Sequence, residues 1–191
     1  MTHRIFVDSN VLVSRTQRDW LFQLRLETST FQLHSTPDAI AEAVRAWRRR
    51  NPAADGRLTI ELDSLLRRNL DEVLEDFAGD VPFGGADIHD LHIHAAAVWT
   101  RADILLTDNA RDVGNPDSLP YEVQSPDDFF LLADDSWPSA VRRVVLSQRE
   151  YWRQRASTDQ QSKRLELALL DSGCPRFAGR VGMHLEALAG I

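Results

Sequence analysis

Cysteine is almost absent from the 191-residue chain: Cys174 stands alone, so no internal disulfide framework can form. No apolar run approaches the roughly 20 residues that a membrane-spanning helix needs, and the first residues lack the apolar core of a secretion signal. Internal repeats and low-complexity tracts are missing as well. Lysine is nearly missing: of 22 basic residues only Lys163 is not arginine. These absences exclude a disulfide scaffold and a repeat array, and a soluble, cytoplasmic protein is the expectation. Arginine suits bidentate contact with phosphate, although genome composition produces the same bias.

What is present is enough apolar residue, 43%, to build a real core. The length suggests one domain or one domain with an appendage. Charge divides the chain. Residues 1–135 hold 13 basic and 24 acidic residues, whereas residues 136–191 hold 9 and 5, within a total of −7. An acidic body of 1–135 and a basic helical extension of 136–191 are therefore expected.

Periodicity predicts short strands alternating with helices. RIFV reads as a buried strand ending in a turn at DSN. RDWLFQLRLE has helical spacing, TFQLHST is extended, and TPDAIAEAVRAWRRR is a helix with Pro37 in its first turn. LTIELDSLLRRNLDEVLEDF reads as one long amphipathic helix and GDVPFGGAD as a loop. DLHIHAAAVWTRA is a helix, ILLT a strand, NARDVGNPDSLP a loop, YEVQ a strand, and SPDD opens a helix. From Trp137 onward the pattern is helical, broken at SGCP. Such alternation predicts an α/β fold with a mostly parallel sheet, whose ligands bind off the carboxyl ends of the strands.

Polar residues gather at those ends. Asp8 follows the first strand. Asp108, Asn109 and Asp112 follow ILLT, Asp90 heads the Ala-rich helix with Asp87 one turn before it, and Glu42 lies early in an amphipathic helix. Oxygen ligands from scattered segments describe a Mg²⁺ or Mn²⁺ site. Such an ion neutralises phosphate charge and acidifies water, which suits phosphodiester hydrolysis. Each residue also has a plain structural role open to it. Asp8 or Ser9 would cap a helix, Asp87 and Asp90 would favour a helix amino end, Glu42 would be solvated, and Asn109 and Asp112 would form turns.

The segments FVDSNVLV, AEAV, DIHDLHIHAAAVWTRADILLTDN and NARDV followed by VQSPDDFF resemble the PIN-domain family, most closely its VapC-like toxin ribonucleases. The resemblance covers residues 4–132. It implies a three-layer α/β/α sandwich and a metal-dependent endoribonuclease using one or two Mg²⁺ or Mn²⁺ ions and a metal-activated water. By that resemblance Asp8, Glu42, Asp90 and Asn109 are the catalytic and metal-binding positions. Asp112 is an outer metal acid, and the alignment leaves Asp38 as the alternative to Glu42. Ser9 and Asn10 are the substrate-binding positions and orient Asp8 through hydrogen bonds. The side chain of Asp108 is left unassigned. The resemblance further implies an RNA substrate, a cognate antitoxin and a homodimer. The alternative is a non-catalytic PIN scaffold that binds RNA or protein.

Other chemistries fit less well. His89, His92 and His94 lack the cysteine partners or HExxH spacing of a zinc site. The family pattern reads His92 as a packing or hydrogen-bonding residue. Cys174 has no adjacent histidine to activate it. A haloacid-dehalogenase-type phosphatase requires a second aspartate where Asn10 stands. RAWRRR and RRVVLSQREYWRQRAS are basic stretches with aromatic residues that suit either RNA contact or packing. LLDSGCPRFAGRV resembles a helical extension of longer VapC-like proteins and is expected to dock a partner or RNA.

Overall fold

Strand β1 (His3–Val7) carries Ile5, Phe6 and Val7, all fully buried. A strand apolar on both faces belongs in the interior of a parallel sheet, and β1 occupies the centre of one. The computed structural model describes residues 2–110, 113–158 and 165–189. Its sheet has five strands in the order β3-β2-β1-β4-β5, every pair parallel. The others are β2 (Phe31–Ser35), β3 (Glu72–Val73), β4 (Ile104–Leu106) and β5 (Glu122–Gln124). The α/β expectation with a mostly parallel sheet holds, and the arrangement is consistent with a PIN-like α/β/α fold. The chain forms two compact units, Met1–Arg15 with Ser29–Ser125, and Thr16–Thr28 with Pro126–Ile191.

In the first unit the chain lays β2 and β3 on one side of β1 and then returns to place β4 and β5 on the other. The order therefore reverses between β1 and β4, whose Val7 and Leu106 pair in register. Phe6 and Leu105 pack against Ile93, Ala96 and Ala97 of helix α5 (Leu91–Trp99). The alanines bring that helix close to the sheet.

Two expectations are corrected here. The DSN segment is not a turn. It opens helix α1 (Ser9–Val13), with Asp8 as its cap. The long helix expected from LTIELDSLLRRNLDEVLEDF stops early. Helix α4 (Gly56–Asn69) ends at its cap Leu70, and Glu72–Val73 joins the sheet edge. Pairing with β2 satisfies backbone groups that a continuing helix would have used internally, and Asp71 helps by accepting from Leu33 N at 2.8 Å. Helix α3 (Pro37–Arg50) begins as expected, with Thr36 accepting from Ala39 N and proline at its first position. Part of its basic end is structural: Arg48 donates to the carbonyls of Ala54 at 2.5 Å and Asp55 at 3.3 Å.

The second unit gathers most of helix α2 (Arg15–Thr28) with α6 (Pro126–Ser136), α7 (Pro138–Thr158), α8 (Leu165–Asp171) and α9 (Pro175–Ala189). Trp20 meets Phe177 edge-on at 4.8 Å, and Phe130 lies 5.2 Å from Phe177. Polar contacts fix the same helices. Buried Asp127 accepts from Phe177 N at 2.8 Å and from Arg176 Nε at 2.9 Å, while Asp134 meets His184 at 2.7 Å. Gln17 donates to the Ser172 carbonyl at 2.6 Å. Cys174 is buried. Among the described residues, no helix is long and apolar enough to cross a membrane.

Candidate active site

Ligand sites in open parallel sheets lie where the strand order reverses, outside the carboxyl ends. Here that is the gap between β1 and β4, and Asp8 and Thr107 are the residues that leave those two strands. Both are buried, at 8% and 1% exposure. The Asp8 carboxylate accepts three hydrogen bonds. Ser9 N donates to Oδ1 at 2.5 Å, and Asn10 Nδ2 and Thr107 Oγ1 donate to Oδ2, each at 2.7 Å. The Thr107 hydroxyl also accepts from Asn10 Nδ2 at 3.0 Å and from Asn109 N at 3.1 Å. Asn10 Oδ1 accepts from Asp108 N at 3.1 Å. One network thus ties the loop after β1 to the loop after β4 and fixes where the carboxylate points.

Asp8 takes the capping role open to it in the sequence, at the start of α1, and it stands in the crevice of the sheet. Asn10 proves to be an orienting residue, since its amide bonds Asp8, Thr107 and Asp108 N at once. Ser9 contributes its backbone N–H to the same carboxylate. Thr107 is the residue that sequence reasoning missed. Its signal was there in the Thr-x-Asn that ends the ILLT strand, but a threonine lacks the charge that draws attention to an acid.

Glu42 belongs to a second group, on α3. Its side chain is half exposed and its Oε1 lies 3.6 Å from His92 Nε2. His92 in turn bonds the His89 carbonyl through Nδ1 at 2.7 Å. Asp38, the alternative helix acid, stands one turn earlier and lines the same small cleft as Glu42, Arg45 and His92. Asp90 ends the 3-10 turn Ile88–Asp90 and heads α5, and its carboxylate makes no capping bond to that helix. Asp87 does cap, accepting from His89 N at 2.9 Å. The capping role therefore accounts for Asp87 and not for Asp90. Asn109 and Asp108 are exposed on the loop after β4. Asp112 lies outside the described residues.

The histidines are used by the fold. His94 is buried, its Nδ1 lies 2.6 Å from the Tyr121 hydroxyl, and the Pro82 backbone also offers it a hydrogen bond. Burial lowers the pKa of His94 and raises that of Tyr121 to about 12. Among the described residues, no three His, Cys, Asp or Glu side chains group closely enough to hold one metal ion. The donor chemistry at the crevice is nonetheless that of a hard cation, with oxygen ligands only. Asp8 Oδ1 accepts a single hydrogen bond and keeps a lone pair. Mg²⁺ commonly retains several waters and needs only one or two carboxylates beside the phosphates of its substrate. The residues present fit such an ion without a preformed cage.

No protein-family model matches the chain, and no solved structure matches it. Over 59 residues it is 36% identical to a Mycobacterium tuberculosis protein named "Putative ribonuclease VapC50". The similar stretch is 30% of this chain and 35% of that protein, so the chain spans about a third of the length of the curated relative it matches.

Proposed function

We propose that the chain is a metal-dependent endoribonuclease of the PIN type, the toxin of a toxin–antitoxin pair. One observation carries this reading: a buried carboxylate, Asp8, is held by Asn10 and Thr107 at the point where the strand order reverses. The similarity to a protein named as a VapC ribonuclease supports it. Asp8, Asp90 and Asn109 would hold the ion, with Glu42 and Asp112 as the further acids. When bound, Mg²⁺ or Mn²⁺ supplies positive charge against the phosphate and a more acidic water.

The chain's own residues do the rest. Asn10 and Thr107 hold the Asp8 carboxylate in one orientation, so no rotamer freedom is lost when charge arrives. Glu42 and His92 stand 3.6 Å apart, close enough to tighten into a hydrogen bond when substrate settles nearby. Exposed Arg49 and Arg50 on α3 offer phosphate contacts. The partners of this reading are an RNA substrate, an antitoxin and a second copy of the chain.

Cleavage of an RNA pool by the purified chain, free of any co-purified antitoxin, tests it. Wild type is expected to cut with Mg²⁺ or Mn²⁺ and to stop with EDTA, and Asp8→Ala is expected not to cut. Cutting that survives in Asp8→Ala would refute the assignment of the site. A folded, antitoxin-free chain that binds RNA and leaves it intact would favour the non-catalytic scaffold.

A further inference from the structure

A cavity of about 660 Å³ opens in the first unit over the half of the sheet formed by β1, β2 and β3. Arg4 and Gln32 line it from the amino ends of β1 and β2, and Trp99 and Thr100 from the end of α5. Asp8 and Asp90, by contrast, stand at the carboxyl end of β1 and at the start of α5. The nuclease reading uses none of the cavity's residues.

A buried side chain in the cavity wall, His34, is 5% exposed, and neither of its ring nitrogens makes a hydrogen bond. Its Nδ1 lies 3.0 Å from Glu72 Oε2. Burial lowers the pKa of the ring, the largest effect on it, although Glu72 opposes the shift. The ring is therefore neutral at pH 7, and the carboxylate beside Nδ1 favours the proton there. Nε2 is left as an acceptor with nothing to accept. A buried acceptor in that state is costly until a donor reaches it.

The rest of the wall asks for the same kind of donor. Asp71, Glu72, Glu75 and Asp76 all face the cavity, against one guanidinium. That guanidinium, Arg4, already donates through Nη1 to the Thr100 carbonyl at 2.9 Å. Trp99 lines the cavity and is 57% exposed, an aromatic residue open to a cation. Phosphate and RNA would be repelled by the four carboxylates.

We propose that this cavity binds an organic cation rich in N–H donors, a guanidinium or ammonium group, which donates to His34 Nε2 and the acidic rim and lies against Trp99. The same chemistry is found on a free polyamine and on an arginine side chain of a peptide.

Calorimetric titration of the full chain tests both sources, with spermidine as the free amine and N-acetyl-arginine methylamide as the peptide-borne group. The citrulline analogue serves as an uncharged isostere. Saturable binding of either cation and none of the citrulline compound is expected, and the tighter cation identifies the source. E72Q/E75Q and Trp99→Ala should each weaken binding about tenfold, the worth of one charge-assisted contact. Glu61→Gln, on the exposed face of α4, should leave it within about twofold, since a screened charge outside the cavity contributes little. In the ¹⁵N spectrum the His34 Nε2 resonance should move on binding, as a lone pair gains a donor. Equal weakening by Glu61→Gln would reduce the effect to net charge and overturn the proposal. So would a His34 resonance that stays put, or no saturable binding at millimolar cation.

Discussion

Replacing Thr107 by valine removes one hydroxyl and almost no volume. That hydroxyl is the hub of the Asp8 network: it donates to Asp8 Oδ2 at 2.7 Å and accepts from Asn10 Nδ2 and Asn109 N. Thr107 is 1% exposed, so water cannot take its place without rearrangement. A hydrogen bond to a charged group is worth about 1.5–3 kcal/mol, and a buried donor left unpaired adds a penalty of similar size. Asn10 Nδ2 keeps its bond to Asp8 and Asn109 is exposed, so the second penalty is mostly escaped. The expected loss is therefore about 2–3 kcal/mol, read from urea unfolding of wild type and Thr107→Val. Thr107→Ser keeps the hydroxyl and should recover most of that loss. RNA cleavage, where wild type shows it, should fall further than stability alone explains at a temperature where both proteins are folded, because the carboxylate loses its fixed orientation. A Thr107→Val protein within about 0.5 kcal/mol of wild type, the usual range for an inert surface change, would refute the claim that this network holds the two loops together.

Arg101 sits at φ 51° where α5 ends, with Ala102 N bonded to Ala97 O and Arg101 N to Val98 O, the pattern that favours glycine. Arg101→Gly should stabilise the fold by about 1 kcal/mol, measured by the same unfolding curves. Tyr121 should titrate near pH 12 in the 295 nm absorbance of the folded chain, and that step should vanish in Tyr121→Phe. His34 and His94 have folded pKa values below the ordinary 6.5, so the unfolded chain takes up protons first as pH drops. Stability should then fall as pH is lowered through about 6.5, and His94→Gln should fall less steeply than wild type in urea midpoints taken at pH 7.5 and 5.5. Asp127→Ala should cost about 2 kcal/mol, because Phe177 N and Arg176 lose their shared buried acceptor; unchanged thermal unfolding would count against that account.

Much of the fold was legible along the chain because its signals are local. The IFV run marked a buried strand, Thr36 and Pro37 marked the start of α3, and the Ala-rich stretch marked a helix. The end of α4 was not legible. Residues 70–77 keep a helical pattern, and only the offer of pairing from β2 turns Glu72 and Val73 into a strand. The grouping of α2 with the helices after Ser125 was equally invisible, since it depends on Trp20 meeting Phe130 and Phe177 more than a hundred residues away.

The sequence by itself determined the alternation of strands and helices, the acids at the strand ends and the arginine-rich, lysine-poor character of the chain. Local periodicity and residue chemistry are enough for that. Only the tertiary structure decided which polar groups meet. Register between β1 and β4 sets Thr107 against Asp8, and a sheet face left open beside α5 leaves a buried His34 nitrogen waiting for a donor. Hydrogen bonds act over about 3 Å, and no pattern along a chain reports which distant residues will come that close.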